Sequence, residues 1–266
     1  MYTNDWLAEG IVEGCETEVM TMQNIQIPIY GLMILLSLVV NIFVVILLSN
    51  KYDFTKIEIM CLILYEGIGI ILGGKILTFI QNYQEYNGEF DLIGTGLTSY
   101  GGAIGALLFL LVFSVQFQKS FQKMLFIFLP PIPLMYGIGK IGCSFAGCCH
   151  GIEYTGLGSV AHRHTNDIIS NTRLFPVQLV ETIVFLGIFI CMIYVHWRNR
   201  FDMKMVGISF ILCGISKFLL DFLRMSHIGQ IISSNQWISL VFAFVGIFMV
   251  IKESRRSIVE NPWKEE

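Results

Sequence analysis

Apolar residues gather along this chain into long runs divided by short polar connections. A helix that crosses a bilayer needs about 17–25 predominantly apolar residues. Seven runs meet or approach that length: 27–48, 57–80, 97–117, 124–141, 176–196, 205–223 and 237–251, the last being the shortest. The pattern predicts an all-α, polytopic membrane protein with seven transmembrane helices. An arm of residues 1–26 precedes the membrane domain, 27–251, and a tail of residues 252–266 follows it. No internal repeat, low-complexity stretch or linker marks off a second domain. The longest predicted connection, 142–175, is polar and Gly-rich, and a long loop on one face usually carries function or covers a site.

Charge orients these runs. Lys51, Lys56, Lys119, Lys123, Arg198, Arg200, Lys204, Lys252, Arg255, Arg256 and Lys264 fall in every second connection, which the positive-inside rule places in the cytoplasm. Residues 1–26 hold Asp5, Glu9, Glu13, Glu16 and Glu18 without Lys or Arg, and 81–98 hold Glu85, Glu89 and Asp91 without either. The N-terminus is therefore expected outside, with the loop 142–175, and the C-terminus in the cytoplasm. The first apolar run follows an acidic arm instead of a basic n-region, so an uncleaved anchor is expected and not a cleavable signal peptide. Composition agrees: 55% hydrophobic residues, 14% charged and a mean hydropathy of +0.68 exclude an ordinary soluble domain.

Candidate chemistry lies in the ionisable residues that interrupt the spans. Each costs about 2.5–3.5 kcal/mol to insert and so needs a partner, water or a purpose. Glu66 and Lys75 fall in the second span, Lys140 ends the fourth, Glu181 is in the fifth, and Lys217, Asp221 and Arg224 are in the sixth or at its end. The i, i+4, i+7 spacing of the last three puts them on one helical face, and Gln178 and Glu181 share another just after Pro176. These faces are expected to converge on a polar cavity. Acid and base pairing as structural salt bridges is the competing reading for any single residue. Taken together, four cations near one face suit an anionic phospholipid head group.

Glycine and cysteine extend the candidate site. Gly67, Gly69, Gly73 and Gly74 lie in the second span, where helix packing explains Gly67 and Gly69, whereas Gly101 and Gly102 beside Tyr100 read as site-like. The stretch GIGKIGCSFAGCCHG, 137–151, sets Lys140 among helix-breaking glycines, which would offer amides and a cation to an anion together. Cys143, Cys148 and Cys149 lie together there. Vicinal cysteines bite awkwardly on one ion and the spacing is no standard zinc pattern, so packing or a disulfide of unspecified pairing is expected before metal. His196 reads as interfacial, and His150, His162, His164 and His227 as loop polarity without an assigned role.

Read in order, these motifs resemble the prolipoprotein diacylglyceryl transferase family of bacterial inner-membrane enzymes. Tyr30-Gly31 looks like its early Tyr-Gly, LGGK at 72–75 like its Leu-Gly-Gly-Arg, and YGGAIG at 100–105 like its His-Gly-Gly segment. Lys140-Ile141-Gly142-Cys143 is similar to its Gly-Arg-x-Gly-Asn core, and FPVQLVE at 175–181 to its His-Pro-x-Gln-Leu-x-Glu. KFLLDFLR at 217–224 resembles its Arg-x-x-x-Glu-Phe-x-Arg, and NQWISL at 235–240 its Gln-x-x-Ser stretch.

The resemblance implies transfer of the diacylglyceryl group of phosphatidylglycerol to the thiol of a lipobox cysteine in a secreted preprotein, with glycerol phosphate leaving. The partners would be membrane phospholipid and that preprotein, with no cofactor, no metal and no nucleic acid, in the bacterial cytoplasmic membrane. It assigns catalytic roles to Tyr100, Lys140, Lys217 and Asp221. It assigns substrate binding to Tyr30, Lys75, Gly101, Gly102, Gly142, Cys143, Gln178, Glu181 and Arg224. The departures run in one direction. Tyr100 stands where the family has His, and Lys75, Lys140 and Lys217 where it has Arg; lysine keeps the charge but loses the bidentate fork that suits phosphate. A phenol with a pKa of about 10 is a weak general base. A paralogue that binds phospholipid but modifies another acceptor, or is inactive, is therefore the alternative on the same scaffold. A transporter is a third reading, against which stands the lack of an inverted repeat or a matched pair of broken helices. A redox role for the cysteine group is a fourth.

Overall fold

The structure, a computed structural model, describes residues 19–22, 25–52, 54–84, 86, 88–91, 95–161, 172–198 and 200–260. Expectations for residues 1–18, Glu85, His162, His164 and Lys264 fall outside these. A two-stranded antiparallel ribbon, β1 (Val19–Met22) with β2 (Ile25–Pro28), leads into α1 (Ile29–Ser49). Then come α2 (Lys56–Gln81), α3 (Ser99–Gln116), α4 (Phe121–Phe128) and α5 (Pro131–Phe145). A second small ribbon, β3 (Val160–Ala161) with β4 (Arg173–Leu174), precedes α6 (Val177–Trp197), α7 (Met203–Asp221), a 3-10 turn (Met225–His227) and α8 (Ser234–Glu260). Seven of the described helical segments are long and apolar enough to cross a membrane. The chain is thus an all-α polytopic membrane protein with two minor ribbons.

Burial follows the rule for a bilayer solvent. Phe43, Val115, Ile183 and Phe248 point outward from the bundle, where lipid accepts them, while Glu66, Gln178, Glu181 and Asp221 are buried inside it. One apolar core joins Val45 and Leu48 of α1, Leu62 of α2, Phe113 of α3 and Phe128 of α4. A second joins Leu125 of α4, Met192 of α6, and Val206 and Phe210 of α7.

Two helix pairs interlock through glycine. A Cβ on Gly73 of α2 would lie 2.3 Å from the carbonyl oxygen of Gly101 on α3, and one on Gly105 would lie 2.0 Å from that of Gly69. No side chain fits there, and the two backbones meet as in small-xxx-small packing. Gly207 and Gly246 bring α7 and α8 together in the same way. Packing, expected for Gly67 and Gly69, holds only for Gly69, since a Cβ on Gly67 would meet nothing within 4 Å.

Three element boundaries depart from expectation. The fourth span runs over 121–145 instead of 124–141, broken between α4 and α5, where Pro131 opens α5 without an amide to donate. Its glycines stay helical because neighbours use their missing side chains: Gly137 lies against Thr182 and Leu186 of α6, and Gly142 against Met33 and Tyr30 of α1. The expected break comes only at Gly147, with a φ of +62°, where Cys148 N–H donates to the Cys143 carbonyl at 3.1 Å in a Schellman closure. The sixth span, expected over 205–223, ends at Asp221 because residues 223–225 exchange backbone hydrogen bonds with residues 150–152. The last span, expected to be the shortest, is a helix of 27 residues. Lys252, Glu253, Arg255 and Arg256 end its apolar run but are good helix formers.

Candidate functional site

Glu181 is the hub. It sits one turn inside α6, wholly buried. The Lys140 Nζ of α5 lies 2.9 Å from its Oε2, and the Lys217 Nζ of α7 lies 2.5 Å from its Oε1. Tyr136 of α5 donates its hydroxyl to the same Oε1 at 2.9 Å and accepts from Lys217 Nζ at 2.6 Å. Both ammonium groups also lie over the Tyr136 ring, at 5.3 Å and 5.1 Å from its centroid. Tyr136 was not singled out in the sequence. Its i, i+4 relation to Lys140 was the available signal, because the two share one face of α5.

Asp221 forms a second, looser centre at the end of α7. Ser233 donates its hydroxyl to Asp221 Oδ2, and the same Ser233 caps α8 in a reciprocal pair with Gln236. Arg224 Nη1 is 3.8 Å from Asp221 Oδ1, and His227 Nδ1 is 3.8 Å from Oδ2. The expected single face of Lys217, Asp221 and Arg224 is thus only partly helical. Arg224 lies beyond the helix and returns to Asp221 through the turn, its N–H donating to the Asp221 carbonyl at 3.1 Å. Its charge reaches Glu181 as well. His227, given no role from sequence, is largely buried beside Asp221.

Tyr100, in the first turn of α3, hydrogen-bonds through its hydroxyl to Ser239 of α8. A cavity of about 100 Å³ lies beside it, walled by Leu107, Phe185, Phe210 and Phe242, with Tyr100, Tyr136 and Lys217 also on its lining. An apolar chamber therefore shares Lys217 and Tyr136 with the Glu181 centre.

Gln178 donates to the Cys148 carbonyl at 2.8 Å, tying the start of α6 to the loop after α5. Tyr30 packs on the cluster of Cys143, Ala146, Cys148 and Cys149. The three sulfurs lie within 4.8 Å of one another, but Cys148 is disulfide-bonded while Cys143 and Cys149 are free, so no disulfide joins members of this group. Two thiols remain, short of a structural zinc set. Cys149 has a left-handed φ of +58°. Its thiol is held well below the ordinary value by the hydrogen bond from Cys143 and by the Lys140 and Arg224 charges. Lys75 donates to the Thr95 carbonyl at 2.6 Å, away from the Glu181 hub, and Gly101 and Gly102 line the contact with α2.

A model of the prolipoprotein diacylglyceryl transferase family matches residues 17–252 of the chain. Among relatives, the phosphatidylglycerol–prolipoprotein diacylglyceryl transferase of Clostridium tetani is 28% identical over 228 residues, covering 83% of this chain and 90% of its own. That of Finegoldia magna is 27% identical over 241 residues, covering 88% and 94%. The second such enzyme of Clostridium perfringens is 25% identical over 226 residues, covering 83% and 88%.

Proposed function

The chain belongs to the prolipoprotein diacylglyceryl transferase family, and from that premise we propose that it moves the diacylglyceryl group of phosphatidylglycerol onto the cysteine thiol of a lipobox-bearing preprotein, releasing glycerol phosphate. The observation that carries this reading is the gathering of three cations, Lys140, Lys217 and Arg224, about the buried carboxylates Glu181 and Asp221. Cations held in this way suit a phosphodiester anion. One of those cations, Lys217, also lines an apolar chamber of the kind a glyceride chain would use.

In this reading Glu181 holds both lysines against the low dielectric, so that their ammonium groups are in place before substrate arrives. The thiolate attacks the glycerol carbon that bears the phosphate, and the C–O bond breaks as negative charge grows on the departing phosphate. Lys140, Lys217 and Arg224 stabilise that charge. Tyr30, Gly142 and Cys143 shape the neighbouring wall, Gln178 fixes the loop above it, and Tyr100 borders the lipid from α3, whereas Lys75, Gly101 and Gly102 serve the α2–α3 contact and its loop. The protein sits in the bacterial cytoplasmic membrane with its arm, residues 1–26, outside and its tail, 252–266, in the cytoplasm. The alternation of Lys and Arg along the connections supports that orientation.

The test is incubation of the purified protein with phosphatidylglycerol and a lipobox peptide, following peptide mass and released glycerol phosphate. A diacylglyceryl mass gain that is lost in both Lys140→Ala and Lys217→Ala is the expected result. Lipid binding without transfer to any cysteine peptide would overturn the reading in favour of a family member with another acceptor.

A further inference from the structure

A phenol with a pKa of about 10 is a weak general base, so the proton of the attacking thiol needs an acceptor other than Tyr100. Tyr100 is engaged with Ser239, and Lys217 with Glu181 and Tyr136. His227 is placed differently. It closes the 3-10 turn after α7, with its own N–H donating to the Arg224 carbonyl at 3.0 Å. Met225 N–H, two residues before it, donates to the His150 carbonyl at 3.0 Å, which pins the turn to the loop after α5. The imidazole stands edge-on to Phe222 with centroids 4.8 Å apart, and its Nδ1 faces the Asp221 carboxylate. Three buried polar atoms at this end of α7 lack a hydrogen-bond partner among the described residues: Asp221 Oδ1, Arg224 Nε and His227 Nδ1. Buried groups are ordinarily satisfied, so such a set marks a place where polar atoms from outside the chain are received.

We propose that His227, oriented by Asp221, is the general base of this transferase. Nδ1 stands 3.8 Å from Asp221 Oδ2, longer than a hydrogen bond, as catalytic pairs often are before substrate is bound; closing that gap commits Nδ1 to the carboxylate and leaves Nε2 to take the proton. This rests on the transfer reaction proposed above. The thiol S–H bond breaks and its proton goes to Nε2. The sulfur lone pair forms the S–C bond to glycerol while the C–O electron pair leaves with the phosphate. The imidazolium then returns the proton to that phosphate, so the base is regenerated and the charges balance. The charged groups facing the Nδ1 side of the ring among the described residues are Asp221 of α7 and, on the same carboxylate, Arg224.

The experiment is a pH series of kcat/KM for the full chain in phosphatidylglycerol liposomes with a lipobox peptide, comparing the unmutated protein with His227→Gln and Tyr100→Phe. A neutral imidazole is required to accept the proton, so the unmutated protein should lose activity as the medium is made more acid. His227→Gln should lower kcat/KM by about 100-fold or more, abolish that acid limb and leave phosphatidylglycerol binding in place. Tyr100→Phe should keep the limb. A His227→Gln enzyme within a few-fold of the unmutated rate, or a slower one that keeps the acid limb, overturns the assignment. If His227→Gln loses lipid binding, His227→Gly with added imidazole decides: rescue upholds the base, and no rescue overturns it. Absence of transfer by the unmutated protein is a separate result, which removes the transfer reaction itself and the base with it.

Discussion

Glu181 and Asp221 are both carboxylates buried in the same bundle, and they are built differently. Glu181 has an ammonium within 2.9 Å of each oxygen and a phenol at 2.9 Å, all reaching it from neighbouring helices. Asp221 has one close partner, Ser233, while its cations stand off at 3.8 Å; each carboxylate has one oxygen without a hydrogen bond, but Glu181 Oε2 has the Lys140 ammonium at 2.9 Å and Asp221 Oδ1 has no cation closer than 3.8 Å among the described residues. The first is a closed scaffold that keeps two lysines charged in low dielectric. The second is an open arrangement with donors and an acceptor to spare. In the mechanism proposed above, pairing and openness divide the labour between holding cations and handling protons.

The sharpest way to break this contrast is to remove each carboxylate. Glu181→Ala strands two buried ammonium groups and should destabilise the protein by about 3–5 kcal/mol, the usual cost of breaking a buried pair. A large drop in the thermal unfolding midpoint in detergent is expected. Asp221→Ala leaves its cations less dependent on it and should cost about 1–3 kcal/mol by the same measurement. Equal losses would mean that the two centres are one network. Tyr136→Phe removes a donor to Glu181 and an acceptor from Lys217 but leaves both ion pairs, so about 0.5–1.5 kcal/mol is expected.

Cys149 reports on both centres at once, because Lys140 belongs to one and Arg224 to the other. Its thiol titrates below the ordinary value, so the thiolate is present above that lowered pKa and disappears only as pH falls through it. Alkylation of Cys149 should therefore persist below pH about 8.5, where an ordinary thiol becomes unreactive. Lys140→Met should move its pH dependence upward. An unshifted profile would separate Cys149 from the Glu181 centre.

Much of the architecture was written in one dimension. The lengths of the apolar runs determined the seven spans, because hydrogen-bond satisfaction in lipid demands continuous helices of that length. The residues that interrupt those runs determined which side chains had to be buried and paired, and Gln178, Glu181, Lys140, Lys217 and Asp221 are all buried as that reasoning required. Local period even placed Lys217 and Asp221 on one face. Pairing across helices was not legible. Glu181 meets Lys140 and Lys217 only because α5, α6 and α7 converge, and nothing in their sequence separation specifies that meeting. Tyr136 and His227 acquired significance in the same way, one residue lying inside an apolar run and the other in a polar connection. The glycines near Lys140 and beside Tyr100 misled for a related reason: whether a glycine breaks a helix or admits a neighbour depends on what stands opposite, as Met33 does for Gly142 and Gly73 for Gly101. Hydropathy is a property of segments and survives reading along the chain, whereas a site is a set of distances between segments, which only the packed bundle decides.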